Sequence, residues 1–137
     1  MIVLLGPVGA GKSVQAQILV DSCGYEWIST GELLRKSNDP VVQDALHSGT
    51  LVDDETVKRI LSEAIAQTPV ETEIIIDGFP RRLSQAEWLE VEQPGLKRKI
   101  THVLHITLSK EAAIERMTGR GRHDDSVAAI AERTKTY

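Results

Sequence analysis

The 137-residue sequence has a single cysteine, Cys23, so it can form neither an internal disulfide nor a cysteine-based zinc site. Aromatic residues make up only 4%. No apolar stretch approaches the roughly 18 residues of a membrane-spanning helix. There is no excess of basic charge either: 16 Lys and Arg stand against 20 Asp and Glu, a net charge of −4. That balance argues against nucleic acid as a partner, and the lack of an apolar span argues against a membrane. Internal repeats, low-complexity tracts and the Asn-Lys-x-Asp guanine motif are missing from the sequence as well. The first residues carry no basic cluster, and their apolar run is too short for a secretory leader, so a cytoplasmic location is expected. Cys23 is expected to be a small buried apolar residue of the first helix. With 41% hydrophobic and 26% charged residues, the chain reads as one domain, large enough for a core without staples.

What the sequence does have is a phosphate loop. Residues 6–13, Gly6-Pro7-Val8-Gly9-Ala10-Gly11-Lys12-Ser13, fit G-x-x-x-x-G-K-[ST] without mismatch. An apolar run, Ile2-Val3-Leu4-Leu5, precedes it and a helical segment follows, which is the context this motif requires. Glycines allow successive N–H groups to turn inward as an anion nest, and the helix that starts there aims its positive dipole end at the same spot. Lys12 is expected to reach the terminal phosphates and the Ser13 hydroxyl to meet Mg²⁺.

The remaining chain alternates strands and helices. Strands are expected at 2–5, 25–29, 73–77 and 102–107. The first helix should run from the loop to Cys23, with Gly24 stopping it. Ser29 and Glu32, and again Ser84 and Glu87, have the spacing of capping boxes. Asp39-Pro40 opens a helix ended by Gly49, and Asp53-Asp54-Glu55 opens the most periodic helix, with Val57, Ile60, Leu61, Ala64 and Ile65 on one face. Pro94-Gly95 should end the helix that starts at Ser84. Lys97-Arg98-Lys99 reads as a solvated turn, and Ser109 as the cap of a helix bearing Ala112, Ala113, Ile114 and Met117. Gly119-Arg120-Gly121-Arg122 reads as a flexible basic link, and Asp124-Asp125 as the start of a last helix. This order predicts an α/β fold: a parallel sheet of the P-loop NTPase type, with four strands present, flanked by helices.

Asp77 follows three isoleucines at a strand's C-terminal end, where ligands of open α/β sheets bind, and is the expected partner for Mg²⁺, directly or through water. Arginines at helix ends and in linkers suit bidentate phosphate contacts. The histidines His47, His102, His105 and His123 read as structural or surface residues.

The order of motifs resembles the adenylate kinases, within the nucleoside monophosphate kinase family. The matching blocks are GPVGAGK at 6–12, STGELLR at 29–35, GTLV at 49–52, DGFPR at 77–81 with Gln85 following, and GRGRHDD at 119–125 with Arg133 beyond it. The resemblance implies phosphoryl transfer from ATP to AMP, giving two ADP, with Mg²⁺ as cofactor and no zinc. It implies that Gly9, Ala10, Gly11, Lys12, Ser13 and Val14 hold ATP, with Arg116 over its adenine and Arg120 on its phosphates. It implies AMP contacts from Thr30, Gly31, Arg35, Leu51, Val52, Gly78, Arg81, Gln85, Arg122 and Arg133. Lys12, Arg81, Arg120, Arg122 and Arg133 would be the catalytic charges. No general base is needed, because the acceptor is already a phosphate anion.

Residues 30–60 would form the monophosphate-binding part and 119–125 a short lid within one domain spanning 1–137. Uridylate or cytidylate kinases, whose members usually carry alanine where Thr30 stands, are the alternative within the family. A nucleotide-binding fragment without efficient turnover is the other. The family usually reads Gly-Lys-Gly-Thr where this chain has Gly11-Lys12-Ser13-Val14, so Ser13 is expected to take over the hydroxyl's role. The family also continues into a fifth strand and a terminal helix that do not follow here. The strand at 102–107 is therefore expected at an exposed sheet edge, and ATP binding is expected to be weaker than in longer relatives. A monomer is expected unless that edge pairs.

Overall fold

In the computed structural model, which describes residues 1–92 and 95–120, the elements are β1 (Ile2–Leu5), α1 (Lys12–Cys23), β2 (Glu26–Ser29), α2 (Thr30–Lys36), α3 (Pro40–Ser48), α4 (Asp54–Gln67), β3 (Ile74–Asp77), α5 (Leu83–Glu92), β4 (His102–His105) and α6 (Lys110–Arg120). The strands form one sheet in the order β2-β3-β1-β4, and every pairing is parallel, with Val3 opposite Ile76 and Ile28 opposite Ile76 on its other side.

Apart from Asp77 at the end of β3, the central strands are apolar because both of their faces are covered. Met1, Val3, Ile28, Ile74 and Ile76 pack on one side with Leu34, Leu46, Leu61 and Leu89 of the helices. Ile2, Leu4 and Ile75 pack on the other side against Ala16 of α1. Ile74, Ile75 and Ile76 are each 0% exposed, and full burial of such a side chain is worth about 1.5–3 kcal/mol. Helix α1 leaves β1 over one face toward β2, whereas α5 leaves β3 over the opposite face toward β4. The chain thus departs in opposite directions from two neighbouring strands, and a crevice opens at their C-terminal ends.

Local signals set most boundaries. Asp39 caps α3 through the Val41 N–H at 2.9 Å with Pro40 at its first position, and Asp53 caps α4 through the Thr56 N–H at 2.9 Å. The Ser29 hydroxyl accepts from the Glu32 N–H at 3.4 Å, as the first capping box predicts.

Several expectations need correction. Helix α5 starts at Leu83, and the Ser84 hydroxyl donates across to Asp54 Oδ2 at 2.6 Å instead of capping the helix. Strand β4 ends at His105, two residues earlier than expected. Cys23 is exposed in the last turn of α1, just before left-handed Gly24 turns the chain toward β2. Arg98 is no solvated turn residue. It is 8% exposed, and its guanidinium donates to the Thr68, Pro69 and Thr72 carbonyls, which the link from α4 to β3 leaves without a sheet partner. Helix α6 takes in Gly119 and Arg120, so no flexible link begins at Gly119. Pro94, the rest of the basic link and the last expected helix lie outside the described residues. β4 stands at the sheet edge with all of its residues exposed.

Candidate active site

The site is a cleft of about 390 Å³ at the C-terminal ends of β1 and β3. Its floor is the phosphate loop. Gly11 adopts φ 91°, a left-handed conformation that costs glycine little, and caps α1 without any side-chain bond. The start of α1 therefore faces the cleft with backbone alone, which is the arrangement an anion needs. The Lys12 ammonium folds over the loop and donates to the Gly6 and Pro7 carbonyls at 2.8 and 2.9 Å. A phosphate oxygen is a stronger acceptor for it than a neutral carbonyl.

Behind the loop the Ser13 hydroxyl donates to Asp77 Oδ2 at 3.0 Å. Asp77, the last residue of β3, is 5% exposed. A hydroxyl and a carboxylate side by side at a phosphate loop are the hard oxygen donors that Mg²⁺ takes, with nucleotide phosphates and water completing its shell. Among the described residues no group of three or more His, Cys, Asp or Glu side chains could hold a metal on its own.

On the other wall stand the α2 and β3–α5 segments. Gly78 has φ 86°, and a Cβ there would lie 3.3 Å from Arg81 Nη2 and 3.8 Å from the Gly31 nitrogen. A Cβ on Gly31 would lie 3.4 Å from Arg35 Nη1. Two guanidinium groups thus flank the same pair of glycines, and Arg81 is further fixed by its Nε bond to the Gly78 carbonyl at 2.9 Å. Thr30 is 2% exposed, and among the described residues its hydroxyl has no hydrogen-bond partner. Beside a cleft, such a hydroxyl is one that a ligand could meet.

The cleft is lined by Gly9, Gly11, Lys12, Ser13 and Val14 on the loop side, and by Thr30, Gly31, Arg35, Leu51, Val52, Gly78, Arg81 and Gln85 on the other, with Asp77 and Arg116 between. Ala10 is buried beneath the loop instead, with its N–H turned to the Pro7 carbonyl at 3.2 Å. Arg116 Nη1 donates to the Gly9 carbonyl at 3.2 Å, so α6 is pinned to the loop. Helix α6 includes Arg120, and Arg122 and Arg133 lie outside the described residues.

Sequence reasoning missed Asp54, reading it only as an acid at a helix start. Its carboxylate receives Arg82 Nη1 at 2.6 Å, Ser84 Oγ at 2.6 Å and Gln85 Nε2 at 2.9 Å. The Ser84 hydroxyl, then the Gln85 amide and Arg82, lower its pKa from 3.8 to about 2. Nothing in the acidic run distinguishes Asp54 from Asp53 or Glu55, since its partners are 28 to 31 residues away.

A family model for adenylate kinases matches residues 4–137. The chain belongs to the adenylate kinase family. It is similar to the adenylate kinase of Geobacter sp. strain M21, with 41% identity over 125 residues that cover 87% of this chain and 58% of that protein. To the adenylate kinase of Mycolicibacterium smegmatis it is 37% identical over 142 residues, 99% of this chain and 78% of the relative. The figure for Corynebacterium urealyticum adenylate kinase is 34%, with the same coverage. The chain therefore spans less than two thirds of the Geobacter relative. Among the described residues no helix is long and apolar enough to cross a membrane.

Proposed function

We propose that this chain is an adenylate kinase in activity as well as family, moving the terminal phosphoryl group of ATP to AMP and back. The observation that carries the reading is one continuous cleft with a phosphate loop on one wall and Arg35, Arg81 and the orphan Thr30 hydroxyl on the other. Two phosphate-binding walls facing each other suit a donor and an acceptor that are both phosphates. Lys12 and the start of α1 bind the donor's phosphates, and Arg35 and Arg81 hold the acceptor's.

With both substrates anionic, these cations offset repulsion and align the attacking oxygen, and no side chain has to remove a proton. Mg²⁺, when bound through Ser13 and Asp77, supplies further charge neutralisation. Thr30 and Gln85 meet the acceptor base, with Leu51 and Val52 against its rings. Arg116 would lie over the donor adenine, and Arg120, Arg122 and Arg133 would complete the phosphate clamp. In the same reading the enzyme is a cytoplasmic monomer.

The test is a coupled assay of ADP formation from MgATP with AMP, UMP or CMP as acceptor. AMP is expected to give the highest kcat/KM; a preference for UMP or CMP would overturn the assignment.

A further inference from the structure

Asp54 and Gln85 belong to different elements, the first turn of α4 and the first turns of α5. Gln85 is 3% exposed and lines the cleft beside Leu34, Val52 and Val57. A glutamine amide has nearly the same shape either way round, so an amide held by nothing offers a ligand donor and acceptor in either order. Here it is held at both ends. Gln85 Oε1 accepts from the Arg81 backbone N–H at 2.7 Å, and Nε2 donates to Asp54 Oδ1 at 2.9 Å. The backbone N–H can only donate, and an ionised carboxylate can only accept. Turning the amide over would set donor against donor and acceptor against acceptor in a buried place. The carboxylate is itself fixed, by Arg82 Nη1 on Oδ1 and Ser84 Oγ on Oδ2, each at 2.6 Å. After these bonds the amide retains one N–H and one lone pair to offer the cleft, in a set order.

We infer that Asp54 is a positioning residue for acceptor selection: together with the Arg81 N–H it locks the Gln85 amide in the orientation that suits an adenine edge and rejects a purine whose edge is inverted. Adenine presents a ring nitrogen that accepts beside an amine that donates. Hypoxanthine, with the same ring shape, presents a ring N–H that donates beside a carbonyl that accepts. With the ribose and phosphate held elsewhere, the base cannot turn over to compensate, so the order of the two groups on Gln85 decides. The inference rests on the acceptor site proposed above.

The experiment compares kcat/KM for AMP and for IMP, with MgATP as donor, in the full chain and three variants. In Asp54→Ala the AMP:IMP ratio is expected to fall by about tenfold or more, mainly through KM, as expected when one part-buried orienting bond is lost. Asp54→Ser is the second variant should Asp54→Ala show no cooperative melt; its hydroxyl suits the first turn of α4 but is too short to reach Gln85. In Asp54→Asn the ratio is expected to stay within about threefold, since one oxygen still accepts from Gln85 and Arg82 while the amide nitrogen donates to Ser84.

A folded Asp54→Ala or Asp54→Ser protein with the AMP:IMP ratio of the parent overturns the role of Asp54, even if both rates fall together. So does an Asp54→Asn ratio as low as that of Asp54→Ala, which would make charge rather than orientation the cause. A parent chain that phosphorylates neither AMP nor IMP overturns the acceptor reading itself and this inference with it. That outcome is distinguishable, because it appears before any variant is made.

Discussion

The Ser13 hydroxyl donates to Asp77 Oδ2 at 3.0 Å, tying the first turn of α1 to the last residue of β3 across 64 positions of sequence. The pair joins the helix start that faces the cleft with the carboxylate of the central strand. If it receives Mg²⁺ together with the nucleotide, Asp77→Asn raises the Mg²⁺ concentration for half-maximal rate by about tenfold. Ser13→Ala shifts it less, because a carboxylate carries the charge. A magnesium titration of the initial rate measures both. Curves that overlay the parent's would remove these residues from the metal site.

Thr30 should show opposite effects on stability and binding. Its hydroxyl is buried without a partner among the described residues, so Thr30→Val, which keeps the shape, is expected to stabilise the chain by about 1 kcal/mol. The same change removes a group that the acceptor would satisfy, and KM for AMP is expected to rise about fivefold or more. Denaturant melts and acceptor titrations read the two effects. A variant that is less stable with an unchanged KM would contradict the assignment.

Arg98 is far from the cleft's chemistry but holds the approach to β3. Arg98→Ala removes the guanidinium from the Thr68, Pro69 and Thr72 carbonyls, of which Pro69 keeps the Thr72 N–H at 3.0 Å, at an expected loss of about 3 kcal/mol. At temperatures where the variant stays folded, kcat should match the parent's. Urea unfolding and a rate assay at low temperature separate the two expectations.

The acid limb of stability has a definite sign. Hydrogen bonds from Ser84, Gln85 and Arg82 hold the Asp54 carboxyl at about 2, below its ordinary 3.8. Asp53 is lowered by the Thr56 N–H, and Glu73 by the N-terminal ammonium at 2.6 Å. A depressed folded-state pKa stabilises the fold above the unfolded value, and that stability disappears as pH falls through the folded one. For Asp54 the window runs from about 4 down to about 2. Thermal melts across that range are expected to show a shallower pH dependence in Asp54→Asn than in the parent. A slope equal to the parent's would place the acid sensitivity elsewhere.

Much of this was legible in the residues themselves, because the informative signals are local. The phosphate loop, the Asp39 and Asp53 caps and the isoleucine run before Asp77 each depend on neighbours a few positions away. Residues 30–52 and 78–85 could be placed in the cleft only through the family resemblance, since no local rule says that α2 returns beside β3. What stayed hidden depends on partners far along the chain. Arg98 looks solvated beside Lys97 and Lys99 until the carbonyls of the α4–β3 link come within its reach. Ser84 has the spacing of a cap, but Asp54 is a better acceptor for its hydroxyl. Asp54 is one acid of three at a helix start, and only the fold brings Gln85 to it.

The phosphate loop and the arginine wall are proposed to act on two nucleotides in one cleft. ADP formation from MgATP and AMP by the parent chain and by Lys12→Ala tests this. Measurable turnover is expected, falling by about a hundredfold or more in the variant, as for loss of one charge aimed at the transferring phosphoryl group. A folded parent chain that forms no ADP, or a Lys12→Ala protein as active as the parent, would contradict it.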